Sequence, residues 1–183
     1  MNSAAGITDS GLAIVNSMPS EELVQTLFDS CHLPVLAWAE NVEAARPYDT
    51  VEGLLSRATG AVDGLSQEEV VAAHTGLTRI GAPIAGTDAE ARWSRSESAG
   101  VGTETELLAS LAAANEAYEE RFGHVFLISA TGLSGWDIVE AIRARLENDE
   151  AAETEQIKSE LKKLMAIRLP KLLHELAEPG TSH

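Results

Sequence analysis

The sequence predicts an all-α protein: a single-domain bundle of about eight helices with one short extended segment near residues 125–129. Three observations predict it. Ala and Leu dominate while aromatic residues make up only 4% of the chain, which suits packed helices better than sheets. Apolar residues recur three and four positions apart through most of the sequence. Helix-start signals recur as well, including the pattern Ser-x-x-Glu at Ser66–Glu69 and Thr-x-x-Glu at Thr103–Glu106.

The elements follow in order. Residues 1–9 are expected to be a disordered start and 178–183 a disordered tail, with one helical domain over 10–177 between them. Ser20-Glu21-Glu22 places a cap and acidic charge at a helix start, with Leu23, Leu27 and Phe28 as the apolar side. Pro34 is expected at the first position of a second helix that ends near Ala45, before Pro47. A third runs from about Thr50 to Ala58, and a fourth from the Ser66 capping box through His74. Residues 75–87 are rich in Gly, Thr and Pro and read as a loop, followed by a helix from about Asp88 to Gly100. A long helix then runs to Phe122, with Gly123 as its C-cap. Val125–Ser129 is β-prone and is stopped by Ala130-Thr131-Gly132. Ser134 caps a helix to about Leu146, and the last helix spans about Glu153–Leu176 with a bend near Pro170. The acidic run Asp149–Glu155 reads as a solvated turn that helps start it.

Bulk properties narrow the function. The 183-residue chain carries a formal net charge of −16, which repels phosphate backbones and anionic lipid, so no nucleic-acid or membrane partner is expected. An anionic substrate would need a local positive pocket. The single Cys31 cannot form an intrachain disulfide and fits a reducing, cytoplasmic setting. No apolar run reaches membrane-spanning length. The His residues are scattered and the glycines occupy turns and caps, so no metal site and no cofactor is expected.

Three polar residues fall on apolar faces. His74 shares a stripe with Val70 and Ala73, and Glu97 lies four residues from Trp93. Arg168 lies in the stripe of Ile157, Leu161, Leu164, Met165 and Leu172. Such residues could form a buried structural network, line a pocket, or snorkel out at a rim.

An ordered set of motifs bears on that choice. Cys31-His32, Trp38 and Arg46-Pro47-Tyr48 come first, then Ala73-His74 with Arg79-Ile80-Gly81. Trp93-Ser94-x-x-Glu97-x-Ala99-Gly100 and Asn115-x-x-Tyr118-Glu119-x-Arg121-Phe122-Gly123 follow, then the Arg145-Leu146-x-Asn148 segment and Ile167-Arg168-Leu169. The set resembles the 2-oxo-4-hydroxy-4-carboxy-5-ureidoimidazoline (OHCU) decarboxylases of urate breakdown. The resemblance implies a carboxy-lyase that makes (S)-allantoin from a small anionic heterocycle, and a homodimer. It implies His74, Glu97 and Arg168 as catalytic residues, with the backbone at Ile128 and Ala130 lining the pocket; Arg79 reads equally as a second anion anchor or a loop salt-bridge partner. His74 would move protons, Glu97 would orient the imidazole or bind ring N–H groups, and Arg168 would hold an anionic oxygen as CO₂ leaves.

Two departures stand out. Thr75-Gly76-Leu77 is inserted between His74 and the Arg-Ile-Gly anchor, and Ser98 replaces a Gln that would grip the ligand ring. They motivate an alternative, a diverged paralogue acting on another heterocyclic or ureido acid. A non-catalytic helical interaction module is the third reading; it predicts that His74, Glu97 and Arg168 do not converge. Elsewhere the bland assignments hold: His124 as a polar edge residue, His174 and His183 as solvated, and Trp136 as a surface or dimer contact.

Overall fold

The computed structural model describes residues 4–30, 35–73 and 104–178. They form eight helices and no strand. These are α1 (Ala4–Ser17), α2 (Ser20–Ser30), α3 (Leu36–Ala44), α4 (Val51–Asp63), α5 (Gln67–Ala72), α6 (Glu104–Phe122), α7 (Gly135–Arg145) and α8 (Glu150–Ala177). The all-α expectation is met, and Val125–Ala130 between α6 and α7 belongs to no helix.

Several boundaries move for identifiable reasons. α1 begins at Ala4, inside the stretch 1–9 left outside the elements by sequence; it turns Leu12 and Val15 inward, and that burial supports the helix. α3 opens at Leu36, with Val35 as an extended N-cap (φ −119°, ψ 103°); Pro34, expected at a helix start, lies outside the described residues. α4 continues past Ala58 to Asp63, because Val62 extends the buried stripe of Leu54 and Ala58 by another turn. α8 starts at Glu150, where Asp149 accepts from the Ala152 amide at 2.7 Å as a cap. Pro170 lies inside that helix.

Other signals land where the sequence places them. The Ser66/Glu69 capping box closes, with Glu69 N–H donating to Ser66 Oγ at 3.2 Å and Ser66 N–H to Glu69 Oε2 at 2.7 Å. Thr50 caps α4 by accepting from the Gly53 amide at 3.0 Å. Ser134 and Asp137 form the same box at α7. Gly123 ends α6 in the left-handed region (φ 76°).

The chain forms two compact units. The first, residues 1–73 and 154–183, packs α1–α5 with most of α8 around Leu23, Leu54, Ile157, Met165 and Leu173. Its polar contacts tie loops to helix ends. Trp38 Nε1 donates to the Ala58 carbonyl at 2.9 Å, and Arg46 Nη1 donates to the carbonyls of Val15 (3.1 Å) and Met18 (2.5 Å). Asn16 pairs with both backbone groups of Tyr48, each at 2.8 Å. The Trp38 and Arg46-Pro47-Tyr48 motif therefore contributes packing and loop anchoring.

The second unit, residues 74–153, holds α6, α7 and the start of α8. Leu111, Tyr118, Phe126, Val139 and Ile142 form its core, with Phe122, Ile128 and Trp136 packed against it. Trp136 is thus half-buried on this core rather than a plain surface residue. His124 is also drawn in: its ring lies 5.5 Å from that of Tyr118, and Nδ1 is 3.2 Å from the Val125 carbonyl oxygen.

Candidate functional site

Of the residues singled out by sequence, Arg168, Ile128 and Ala130 fall within the described structure. His74, Arg79, Glu97 and Ser98, with the Thr75-Gly76-Leu77 insertion, lie outside the described residues. The element leading to His74 is described. α5 ends at Ala72 with Ala73 as its C-cap, and Val70 and Ala73 are both 1% exposed, so the expected stripe is buried up to that point.

Arg168 projects from α8 in the first unit. Met165, three residues before it, and Leu172, four after, are buried, as is its neighbour Leu169. Arg168 and Leu164 are half-buried. The guanidinium therefore sits at the edge of the apolar stripe rather than in its centre.

Ile128 and Ala130 belong to the second unit, on the non-helical stretch between α6 and α7. Such a stretch cannot satisfy its backbone internally, so other groups must hold it. At one end the Ala130 carbonyl accepts from the Leu133 amide at 3.0 Å, closing a turn through Gly132 (φ 81°). At the other end Arg145 Nη1 donates to the Leu127 carbonyl at 2.6 Å, and its guanidinium lies 4.4 Å from the centroid of the Phe126 ring. Ile128 is half-buried and Ala130 exposed, between these two anchors.

Arg145 is itself buried, at 6% exposure, and so is its partner Glu153, at 1%. Arg145 Nε donates to Glu153 Oε1 at 2.9 Å, and Nη2 closes a salt bridge to the same oxygen at 2.5 Å. The Tyr118 hydroxyl also donates to that oxygen, while Asn148 Nδ2 donates to Oε2 at 3.0 Å. Burial, then the Glu153 carboxylate, push the Tyr118 phenol far above its ordinary range, so it remains a donor. Glu153 is therefore a buried, fully engaged carboxylate, which corrects the expectation of a solvated acidic turn over 149–155.

The Tyr118, Arg145 and Asn148 positions of the sequence motifs meet in this one network. Arg121 of the same motif set donates to the Asn148 carbonyl at 2.7 Å. The motifs included Arg145 without giving it a role, and Glu153 was not singled out, although a signal was present for both. Arg145 continues the Ile138–Ile142 stripe at spacing four then three, and Glu153 precedes Ile157 by four. No group of His, Cys, Asp and Glu suited to a metal occurs among the described residues.

Among the described residues, eight helices and one non-helical stretch, bound at Leu127 by a buried arginine and followed by a glycine turn, define an all-α protein. Comparison with known proteins gives this class a family. The sequence model for OHCU decarboxylase matches residues 16–170, and the chain belongs to that family. The OHCU decarboxylase of Amia calva is 30% identical over 169 residues, covering 87% of this chain and 92% of that protein. The uric acid degradation bifunctional protein PucL of Bacillus subtilis (strain 168) is 28% identical over 166 residues. That match covers 90% of this chain and 33% of the relative, so the chain spans about a third of the bifunctional protein. Among solved structures, an OHCU decarboxylase crystallised with (S)-allantoin superposes with a TM-score of 0.66 at 21% identity, covering 81% of this chain and 97% of that one. An (S)-allantoin synthase superposes with a TM-score of 0.64 at 15% identity, covering 88% and 53%. At these identities the two structures establish a shared fold.

Proposed function

We propose that the chain decarboxylates OHCU to (S)-allantoin in urate breakdown. The observation that carries this reading is the family match across residues 16–170, supported by a relative of that activity covered over 92% of its length. Loss of CO₂ leaves an electron pair on the former carboxyl-bearing carbon, which must be delocalised into the ring and then protonated on one face. His74 is the proton-transfer residue, and Glu97 orients it or binds ring N–H groups. Arg168, half-buried on α8, holds an anionic substrate oxygen bidentately. Arg79 is a second anion anchor, Ser98 contacts the ring, and the backbone at Ile128 and Ala130 lines the pocket. These groups supply acid–base catalysis and charge stabilisation from side chains and backbone alone. Among the described residues no helix is long and apolar enough to cross a membrane. A cytoplasmic homodimer completes the proposal.

The test generates OHCU in situ from urate with urate oxidase and hydroxyisourate hydrolase, then follows allantoin by circular dichroism. Rapid appearance of one enantiomer is expected. His74→Ala is expected to lower kcat by about 10²–10⁴-fold, the usual share of general acid–base catalysis. Racemic decay at the uncatalysed rate would overturn the reading. The replacement of Gln by Ser98 and the insertion at residues 75–77 favour a second reading in that event, a paralogue acting on another ureido or imidazoline acid.

A further inference from the structure

The buried cation of the second unit has a task that stability alone does not explain. A buried ion pair gains little over an apolar pair of the same shape. Yet Arg145 and Glu153 sit in an otherwise apolar and aromatic core, beside Phe126 and Tyr118. Glu153 occupies two donors of the guanidinium, and a third reaches out of the pair to the Leu127 carbonyl. That carbonyl directly precedes Ile128. On the far side the Ala130 carbonyl is held by the Leu133 amide. The backbone from 127 to 130 is thus gripped at both ends by hydrogen bonds of 2.6 and 3.0 Å.

We propose that Arg145 is a positioning residue for ligand binding: it fixes the peptide plane between Leu127 and Ile128, and so the direction in which the Ile128 amide points. This rests on the assignment of the Ile128–Ala130 backbone to the pocket. The plane of a peptide unit is rigid, so a bond to the Leu127 oxygen sets the orientation of the Ile128 N–H as well. Glu153 holds the guanidinium plane in turn, and Tyr118 and Asn148 hold the carboxylate. A planar fork can satisfy Glu153 and the Leu127 carbonyl together, whereas a lysine ammonium offers its donors from one point. A peptide amide held this way presents a directed donor to a ring carbonyl or carboxylate without reorganising when the ligand arrives.

The experiment compares Arg145→Lys, the double variant Arg145→Met/Glu153→Leu and Val139→Ala. The double variant removes the pair together, so no charge is left buried alone. Val139→Ala weakens the same core without touching the pair, Val139 being fully buried. Steady-state kinetics use OHCU generated in situ, and hydrogen exchange follows the Ile128–Ala130 amides. Both Arg145 variants are expected to raise KM about tenfold with kcat changed less than about threefold, the pattern of lost binding rather than lost chemistry. Exchange at Ile128 is expected to quicken at least about tenfold relative to Val139→Ala, as for a local opening. Val139→Ala is expected to lose stability while KM stays within twofold. An active wild type whose Arg145 variants keep KM within twofold would overturn the proposal and leave the decarboxylase reading standing. A wild type inactive on OHCU would remove both, even if exchange at Ile128 responds.

Discussion

The two units of this protein handle polar groups in opposite ways. In the first, the buried charges pair with exposed partners: Glu160, with 4% of its side chain exposed, meets Lys163 at 57%, and Lys158 at 11% meets Glu155 at 71%. Arg46 and Glu43 pair with 13% and 21% of their side chains exposed, Lys162 and Asp63 with 35% and 57%. Trp38 adds a neutral buried contact, to the Ala58 carbonyl. In the second, a full ion pair lies in the core with 8% and 1% exposure, ringed by Tyr118, Phe126 and Asn148. The difference follows from what each unit must hold. The first packs helices and holds its non-helical Tyr48 backbone with the neutral Asn16 side chain. The second holds a stretch of backbone that is not helical, and an aliphatic core offers no donor for its carbonyls.

If that contrast is correct, removing charge should hurt the two units very unequally. The largest effect is expected from Glu153→Ala, which leaves Arg145 buried without its partner. A loss of about 3–5 kcal/mol is expected by urea denaturation, with most of it recovered in the Arg145→Met/Glu153→Leu double variant. A loss below about 1 kcal/mol for Glu153→Ala would break the comparison.

The first unit should respond most to steric change. A Cβ on Gly11 would lie 2.0 Å from the Leu173 carbonyl oxygen and 2.6 Å from its carbon, so α1 and α8 must separate to admit it. Gly11→Ala is expected to cost about 1–3 kcal/mol, readable as a lowered Tm.

Tyr118→Phe sharpens the contrast through pH. The phenol is held protonated in the fold, far above its ordinary 10.0, so it contributes stability below pH 10 that is lost as the pH rises further. In that alkaline range the unfolded chain ionises its tyrosine while the folded one does not. The variant should lose about 1–3 kcal/mol at neutral pH, as for a bond to a charged group, and show a flatter decline above pH 10. An unchanged alkaline slope would count against the buried Tyr118–Glu153 contact. The smallest effect is expected from Lys162→Ala, an exposed pair worth at most about 1 kcal/mol and weaker still in high salt.

Much of the fold was legible in the sequence because its signals are local. Ser66, Thr50, Ser134 and Gly123 each act within a turn, and each caps the helix expected of it. Two of the boundaries that moved are set by packing at a distance. Val62 extends α4 because it meets a core, and α1 gains its place through Leu12 and Val15. For the candidate site, Arg168 was flagged by its place in an apolar stripe, and that spacing does put it at the stripe's edge. Arg145 and Glu153 carry the same kind of signal. The acidic run around Glu153 masked it, since a cluster of carboxylates ordinarily faces water. What betrays Glu153 is phase: it lies one turn before Ile157, on the same buried face.

The extended stretch enters and leaves through two glycines, Gly123 (φ 76°) and Gly132 (φ 81°). At neither would the Cβ of an L-residue meet anything within 4 Å, so crowding is not what excludes an L side chain there. The constraint is one of handedness alone. An L-alanine there must take a dihedral its chirality disfavours, while a D-alanine finds the same angle natural. A chemically assembled chain with D-alanine at 123 and 132 should keep both turns and narrow its unfolded ensemble, leaving it more stable than the natural protein.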